Sequence, residues 1–276
     1  RMDYLVAVPE PRLVPFAPNS AIIARYARGR DYHKVMRGRL KTLSQKIKAK
    51  VGDFESRPFA DSAPIFEKSL AENAGMGWVG KHTLLIHKTS GSFFVLGELF
   101  TSLELPFDQA TTKHCGSCSA CIDICPTQAI VEPYLLDARK CIAYLTIEFQ
   151  GIIPEELRRG IGNRVFGCDD CQLICPWNSF AKTTPIDDFN PRHGLDDIQL
   201  IDLWQWDENT FMANTEGSPL RRTGYQSFMR NVAIGLGNAP FSDEILQQLQ
   251  ASRPELNDIV QVHIDWAIQE QLIKKH

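Results

Sequence analysis

The sequence has no apolar run long enough to cross a bilayer, and its opening Arg1-Met2-Asp3-Tyr4-Leu5 lacks the pattern of a secretory leader. The first absence excludes a helical membrane protein. Together they predict a protein of the reducing cytoplasm with no membrane partner. Net charge is nearly absent too: −3 over 276 residues gives no whole-chain reason to expect nucleic acid. Cysteine is missing from everything beyond residue 175, so any thiol chemistry belongs to the middle of the chain. Hydrophobic residues are plentiful at 43%, enough for a sizeable core divided over two or three domains.

What is there begins with eight cysteines. Cys115-Gly-Ser-Cys118-Ser-Ala-Cys121-Ile-Asp-Ile-Cys125-Pro126 has the C-x2-C-x2-C-x3-C-P spacing in which three thiolates hold one iron-sulfur cluster and the fourth reaches a second. Cys168-Asp-Asp-Cys171-Gln-Leu-Ile-Cys175-Pro176 repeats the end of that run, and Cys141 is the one cysteine left to lead it. Crossing the last ligand of each run assigns Cys115, Cys118, Cys121 and Cys175 to one [4Fe-4S] cluster and Cys125, Cys141, Cys168 and Cys171 to the other. Structural zinc also uses paired C-x2-C units, but does not call for a C-x3-C-P ending in both halves. Disulfides fit worse, because cysteines so close on a turn cannot all reach separate partners. From spacing alone the module is an electron relay. Most of the chain lies outside it, so the electrons are expected to serve chemistry in an attached domain.

Charge that is absent overall is concentrated locally. Residues 25–50 carry ten Lys or Arg against one acid, Asp31, a local charge of +9. Such a stretch suits a phosphate backbone, although a solvated helix face is the plainer reading of any basic run. Met36, Leu40, Leu43 and Ile47 recur at helical spacing from Asp31 onward, with Lys34, Arg37, Lys41 and Lys48 on another face, so the charges are expected to be displayed.

Elsewhere, residues 1–8 read as a short strand followed by an extended stretch through Pro9, Pro11, Pro15 and Pro18. Asp61-Ser-Ala-Pro64 reads as a helix start with Asp61 as the cap. Residues 83–87 and 92–96 read as a hairpin, and 98–105 as a third strand. Asp137 is expected to cap a helix carrying Cys141, and residues 154–159 to form another. Helical patterns begin at Asp202, Ser218, Ser242 and Pro254, predicting stacked helical hairpins with Arg221, Arg222 and Arg230 near the start of the longest early helix, where they are candidate surface contacts to phosphate. Gly75-Met-Gly77-Trp-Val-Gly80 matches a dinucleotide fingerprint, and Glu98 lies at the expected distance. Its context is inverted, helix before and strand after, which argues against a nucleotide.

Asp61-Ser-Ala-Pro64, Gly75-Met-Gly-Trp-Val-Gly-Lys81-His82, the first cysteine run, Arg139-Lys-Cys141-Ile-Ala-Tyr-Leu-Thr146, Gly162-Asn-Arg-Val-Phe-Gly-Cys168 through Trp177, and Glu216-Gly-Ser-Pro-Leu-Arg-Arg222 together resemble the epoxyqueuosine reductases over nearly the whole chain. That resemblance implies a cobalamin-dependent oxidoreductase with two [4Fe-4S] clusters, reducing epoxyqueuosine to queuosine at the tRNA wobble position. It implies an α+β fold in three parts: a mixed α/β cobalamin- and substrate-binding domain over 1–108, a ferredoxin-like domain over 109–182, and a helical, HEAT-like domain over 183–276. A monomer served by an external electron donor is expected, and members of the family normally start earlier than this sequence does. The runner-up is a related cobalamin and iron-sulfur reductase of the reductive dehalogenase kind. A plain electron carrier is the third reading, and reduction of added cobalamin discriminates against it.

The resemblance also directs attention to particular residues. No D-x-H-x-x-G loop offers a cobalt ligand: Asp31-Tyr-His33 begins like one, but position 36 is Met. A cofactor without a protein histidine agrees with the family, and His33 is then expected on the surface. Ala143 and Asp169, next to cluster cysteines, are expected to line the corrin on one side. Ala24, Tyr26, Asp61 and Leu85 are expected on the other. Taken alone Asp61 is a helix cap; the resemblance makes it the general acid for the departing epoxide oxygen.

Overall fold

The computed structural model describes residues 1–6, 17–251 and 253–275; the proposed strand end at residues 7–8 and Pro9, Pro11 and Pro15 lie outside them. In chain order the elements are β1 (Met2–Asp3), β2 (Ile22–Ile23), α1 (Tyr32–Val51), β3 (Ser56–Phe59), α2 (Glu67–Asn73), β4 (Trp78–Val79), β5 (Leu85–Ile86), β6 (Phe94–Val95) and β7 (Glu98–Thr101). There follow α3 (Ala120–Asp123), β8 (Ile130–Glu132), β9 (Leu135–Leu136), α4 (Ile142–Ile147), α5 (Glu155–Ile161), β10 (Arg164–Phe166) and α6 (Asp170–Leu173). The rest is helical: α7 (Leu200–Trp204), α8 (Glu208–Asn214), α9 (Tyr225–Asn238), α10 (Asp243–Gln250) and α11 (Asp258–Lys274). The class is mixed α and β with a helical end, and no helix among the described residues is long and apolar enough to cross a membrane.

Helix α1 starts where Asp31 accepts the backbone N–H of His33 and stops at Gly52, whose φ of 90° suits glycine. Tyr32, Met36 and Leu40 are its buried stripe, while Leu43 is 47% exposed, so the apolar face fades toward the C-terminus. Arg25 and Arg28 precede the helix and are buried, so the basic stretch is displayed only from Arg30 onward.

Among the described residues the strands form five two-stranded pairs. The expected 83–87 with 92–96 hairpin is replaced by other partners: β5 pairs with β4, β6 with β1, and only a single bridge joins His87 to Gly91. Gly77 explains part of this, since a Cβ there would lie 2.1 Å from the Ile86 carbonyl oxygen; only glycine lets β4 approach β5 so closely. The third strand pairs as β7 with β3. The glycine motif runs from α2 into β4, the inverted order that rules out the dinucleotide fold.

One parallel pair matters most for the site: β10, just before Cys168, lies beside β2 near the start of the chain. Helix α9 covers both β10 and α4. Arg230, expected near a surface, is instead fully buried in α9 and donates to the carbonyls of Leu145, Phe149 and Gly151. Asn231 donates to those of Thr146 and Val165. These bonds satisfy the end of α4 and fix the segment that begins at Cys141. The largest apolar core accordingly runs from Ala21 through Val165 to Ala267, joining all three stretches of the chain.

Candidate functional site

Both cysteine runs make the same local structure. Each places a four-residue helix, α3 or α6, over the second cysteine of a C-x-x-C pair, Cys121 or Cys171, and the two helices pack together. That contact brings the runs into the crossed arrangement. Cys115, Cys118, Cys121 and Cys175 line one cavity of about 420 Å³, together with Lys81, His82, His114 and Trp177. Cys125, Cys141, Cys168 and Cys171 line a second of about 410 Å³. Cys141 is not inside a helix: Asp137 caps a short 3-10 turn, and Cys141 itself stands at the N-terminus of α4.

The eight thiols are free, and among the described residues no three His, Cys, Asp or Glu side chains converge on a single-ion site. A zinc ion draws four donors to one point, whereas the thiolates of a cubane each take a different iron around a larger volume. Four thiols around each cavity fit the cluster. Burial pushes the Cys121 thiol up to about 11 and raises those of Cys168 and Cys171 as well, which favours the protonated thiol until metal replaces the proton.

The second cavity extends beyond its thiols to a largely apolar wall that includes Tyr4, Leu84, Leu85, Phe94, Leu96 and Ile142. Tyr26, Asp61, Leu85, Ala143 and Asp169 all line it. Ala24 does not: it is buried beneath, where its Cβ would sit 2.6 Å from any Cβ on Gly167, and its N–H bonds Phe166. Asp169 is buried on the thiol wall, its Oδ2 accepting from the Arg25 N–H at 2.8 Å, and desolvation holds its carboxyl above the usual range.

Asp61 stands at the opposite wall, on a loop and not on a helix. The helix expected from Asp61 starts at Glu67, and Asp61 has φ 50°, a left-handed backbone that aspartate tolerates better than most residues. Glu67 holds the loop by accepting the Asp61 N–H at 2.5 Å. Asp61 Oδ2 accepts from the Tyr32 hydroxyl and lies 3.0 Å from Nε2 of His33, whose Nδ1 is 2.8 Å from Asp31. His33 is therefore part of the site, contrary to the surface position expected for it. Held between two carboxylates, its pKa is raised to about 9, and the His33 bond in turn lowers that of Asp61, helped by Tyr32 and the charge of Arg222. The resting site is an aspartate-imidazolium pair with a tyrosine donor.

The spacing of Tyr32 and His33 within α1 gave no hint of this, because Asp61 reaches them only once β3 has folded alongside the helix. The one available signal was Asp31-Tyr-His33 itself, an N-cap followed by two side chains that can donate to a carboxylate. His82, also unforeseen, borders both cavities. Its Nδ1 accepts the Leu84 N–H, so Nε2 carries the proton and offers cobalt no lone pair. The apolar cavity beside one thiol wall fits a corrin, and among the described residues that line it no histidine offers a lone pair.

Residues 114–178 match the family described as 4Fe-4S double cluster binding domain, and residues 1–62 match the one described as epoxyqueuosine reductase QueG. An epoxyqueuosine reductase of Pseudomonas aeruginosa is 55% identical over 269 residues, 97% of this chain and 74% of that protein. The fold superposes with TM-score 0.86 on a crystal structure of epoxyqueuosine reductase holding an epoxyqueuosine-modified tRNA-Tyr stem loop, at 28% identity, covering 98% of this chain and 71% of that one. It superposes equally well, at 27% identity over the same shares, on the Bacillus subtilis epoxyqueuosine reductase with its catalytic aspartate loop swung out of the active site. A double-cluster scaffold whose second cavity opens onto an acid-bearing loop, in a sequence this similar over this length, leaves one assignment: the chain belongs to the epoxyqueuosine reductases.

Proposed function

We infer that this chain reduces the epoxide of epoxyqueuosine to the alkene of queuosine in the anticodon loop of a tRNA, the last step of queuosine biosynthesis, with Asp61 and His33 managing the proton. The observation that carries the reading is one cavity walled by Cys125, Cys141, Cys168 and Cys171 on one side and by Asp61 and Tyr32 on the other. When bound, the two [4Fe-4S] clusters relay electrons from an external donor to cobalamin, which supplies two of them to the substrate. The crossed sets named above hold the clusters, and Tyr26, Leu85, Ala143 and Asp169 flank the corrin. The partition at 108 and 182 separates cofactor and substrate binding, relay, and a HEAT-like helical support, working as a monomer in the cytoplasm.

Opening an epoxide to an alkene consumes two electrons and two protons and releases water, so a proton must reach the oxygen as its bond to carbon breaks. The resting Asp61 is an anion, held so by His33 and Tyr32, and cannot itself be the store. His33 can: its Nε2 proton lies on the bond to Asp61 Oδ2. As negative charge develops on the substrate oxygen, Asp61 takes the proton from His33 and delivers it, acting as the last carrier of a two-residue acid, and His33, reprotonated from solvent, supplies the second proton by the same route as the oxygen leaves as water. Tyr32 and the Glu67 bond hold the carboxyl in place while it does so.

Asp61→Asn keeps the shape and the Tyr32 partner and removes the carrier. Queuosine formation is expected to fall at least a hundredfold, with iron content and cobalamin binding intact. Turnover near the parental rate would pass the role to another carboxyl of the cavity, with Asp169, buried on the thiol wall, the first to test.

A further inference from the structure

The glycine motif of residues 75–80 binds no nucleotide, yet it ends in a side chain with nothing to do. His82 is 3% exposed, its Nδ1 is occupied by the Leu84 N–H, and its Nε2 has no partner among the described residues. Leaving a buried N–H unpaired costs on the order of 1–3 kcal/mol, which a fold avoids unless an acceptor arrives. Desolvation keeps the ring neutral by lowering its pKa to about 4, so the tautomer with hydrogen on Nε2 persists at every working pH.

We propose that His82 Nε2–H donates a hydrogen bond to a sulfur of the first cluster, the one held by Cys115, Cys118, Cys121 and Cys175, and thereby raises that cluster's reduction potential. The proposal rests on the ligand sets of the preceding section. Three observations choose the first cluster over the second, although the ring borders both cavities. Lys81, the preceding residue, anchors the loop to the first cysteine run by donating to the carbonyls of Gly116 at 2.7 Å and Cys118 at 2.8 Å. Ile86, which lines only the first cavity of the two, brackets the ring with Gly80, where an added Cβ would come within 3.0 Å of His82 Cε1. Trp78, in β4 just ahead of this turn, meets His114 and Trp177 edge-on, both of them walls of the first cavity. Its Nε1 is likewise buried and unpaired, and these are the two nitrogen donors among the buried side-chain atoms without a partner in the described residues.

The physical effect follows from charge. One-electron reduction adds a negative charge to the cluster, and an N–H aimed at its sulfur stabilises the reduced form more than the oxidised one. No proton transfers, because the ring stays neutral in both states.

The test uses the full chain, anaerobically reconstituted, with redox titration of both clusters followed by electron paramagnetic resonance. Signals are assigned by comparison with Cys175→Ala. His82→Asn keeps an acceptor for Leu84 but places no donor at Nε2, whereas the longer amide of His82→Gln restores one. At a fixed poise, His82→Asn is expected to lower the reduced-to-oxidised ratio of the first cluster about tenfold, some 59 mV for one electron, while the second is unmoved and His82→Gln recovers most of the change. An unchanged first cluster, or a shift confined to the second, overturns the proposal. Independently of any variant, the reduced first cluster of the parent protein labelled with 15N-histidine must show a nitrogen coupling in pulsed spectra, and its absence overturns the proposal as well. Parental protein that takes up only four irons would instead sink the ligand assignment, a failure distinct from both.

Discussion

Ser119 and Asp169 occupy the same place in the two cysteine runs, and their backbones agree, φ −118° and ψ 3° against φ −109° and ψ 4°. Ile124 and Ile174, which end the two short helices, agree as closely, and proline follows the next cysteine in both. Their surroundings diverge. The first cavity reaches the surface through Cys118, which is exposed, and Phe180, which is 55% exposed. The second is walled by Tyr4, Tyr26, Tyr32 and four carboxyls, those of Asp61, Glu67, Asp169 and Asp170. Local spacing thus sets how thiols are presented, and the elements packed around them decide what the thiols are for. The exposed half suits entry of electrons and the walled half their delivery.

The sharpest way to break the comparison is Cys175→Ala. If the ligands cross, iron falls from about eight to about four per chain and the lost signal is that of the first cluster, although Cys175 lies in the second run. Retention of the first cluster with loss of the second would restore an uncrossed pairing. Turnover should vanish, since the walled half is then cut off from its supply.

The second test probes the chemistry that only the walled half has. Because the folded His33 pKa is raised to about 9, the imidazolium contributes stability that is fully present below its unfolded value of about 6.5 and is lost as pH rises through about 9. The same proton is the one to be delivered. The ratio kcat/KM is therefore expected to be level near neutral pH and to fall about tenfold per pH unit above roughly 9, with neither cluster's spectrum changing over that range. A decline centred near 6.5 would mean that His33 acts without its carboxylate partners.

Much of this was legible beforehand, and the misses share a cause. Cysteine spacing is a local code, so the crossed sets were readable, as was α1 from Asp31 and its period. The resemblance points to Asp61 and the structure places it on the cavity, but the helix start expected there lies six residues later, at Glu67, because Asp61-Ser-Ala-Pro64 instead makes a loop held by Glu67. His33 was placed on the surface since its carboxylate partner is 28 residues away. Arg230 looked like a phosphate ligand because nothing in an arginine codon's neighbours announces three waiting carbonyls. Ala24, a neighbour of Tyr26, turned out to pack beneath the cavity and not into it. Apart from Glu67, which is only six residues from Asp61, the deciding partner is remote in sequence, which periodicity cannot see.

The smallest expected effect concerns the rim of the walled half. Lys34, Arg37 and Lys41 are exposed on α1, and Arg222, paired with Glu148 at 3.0 Å, has its charge felt at Asp61. A phosphate backbone lying there would release counterions, so tRNA affinity should fall steeply with salt, and removing each contacting charge should flatten the slope by roughly one unit. Arg37 is a poor probe by itself, because it donates to Ser62 Oγ at 2.9 Å and so also steadies the Asp61 loop. Lys41 has no such tie among the described residues and isolates the electrostatic term. Lys41→Ala should weaken binding only modestly at moderate salt while changing the slope, with kcat at saturating tRNA unchanged. Charge reversal of Lys41 and Arg37 together should lower affinity further and, through Ser62, lower kcat as well. An unaltered slope in both variants would make this face of α1 a solvated helix surface, leaving Arg222 and the opposite rim to hold the RNA.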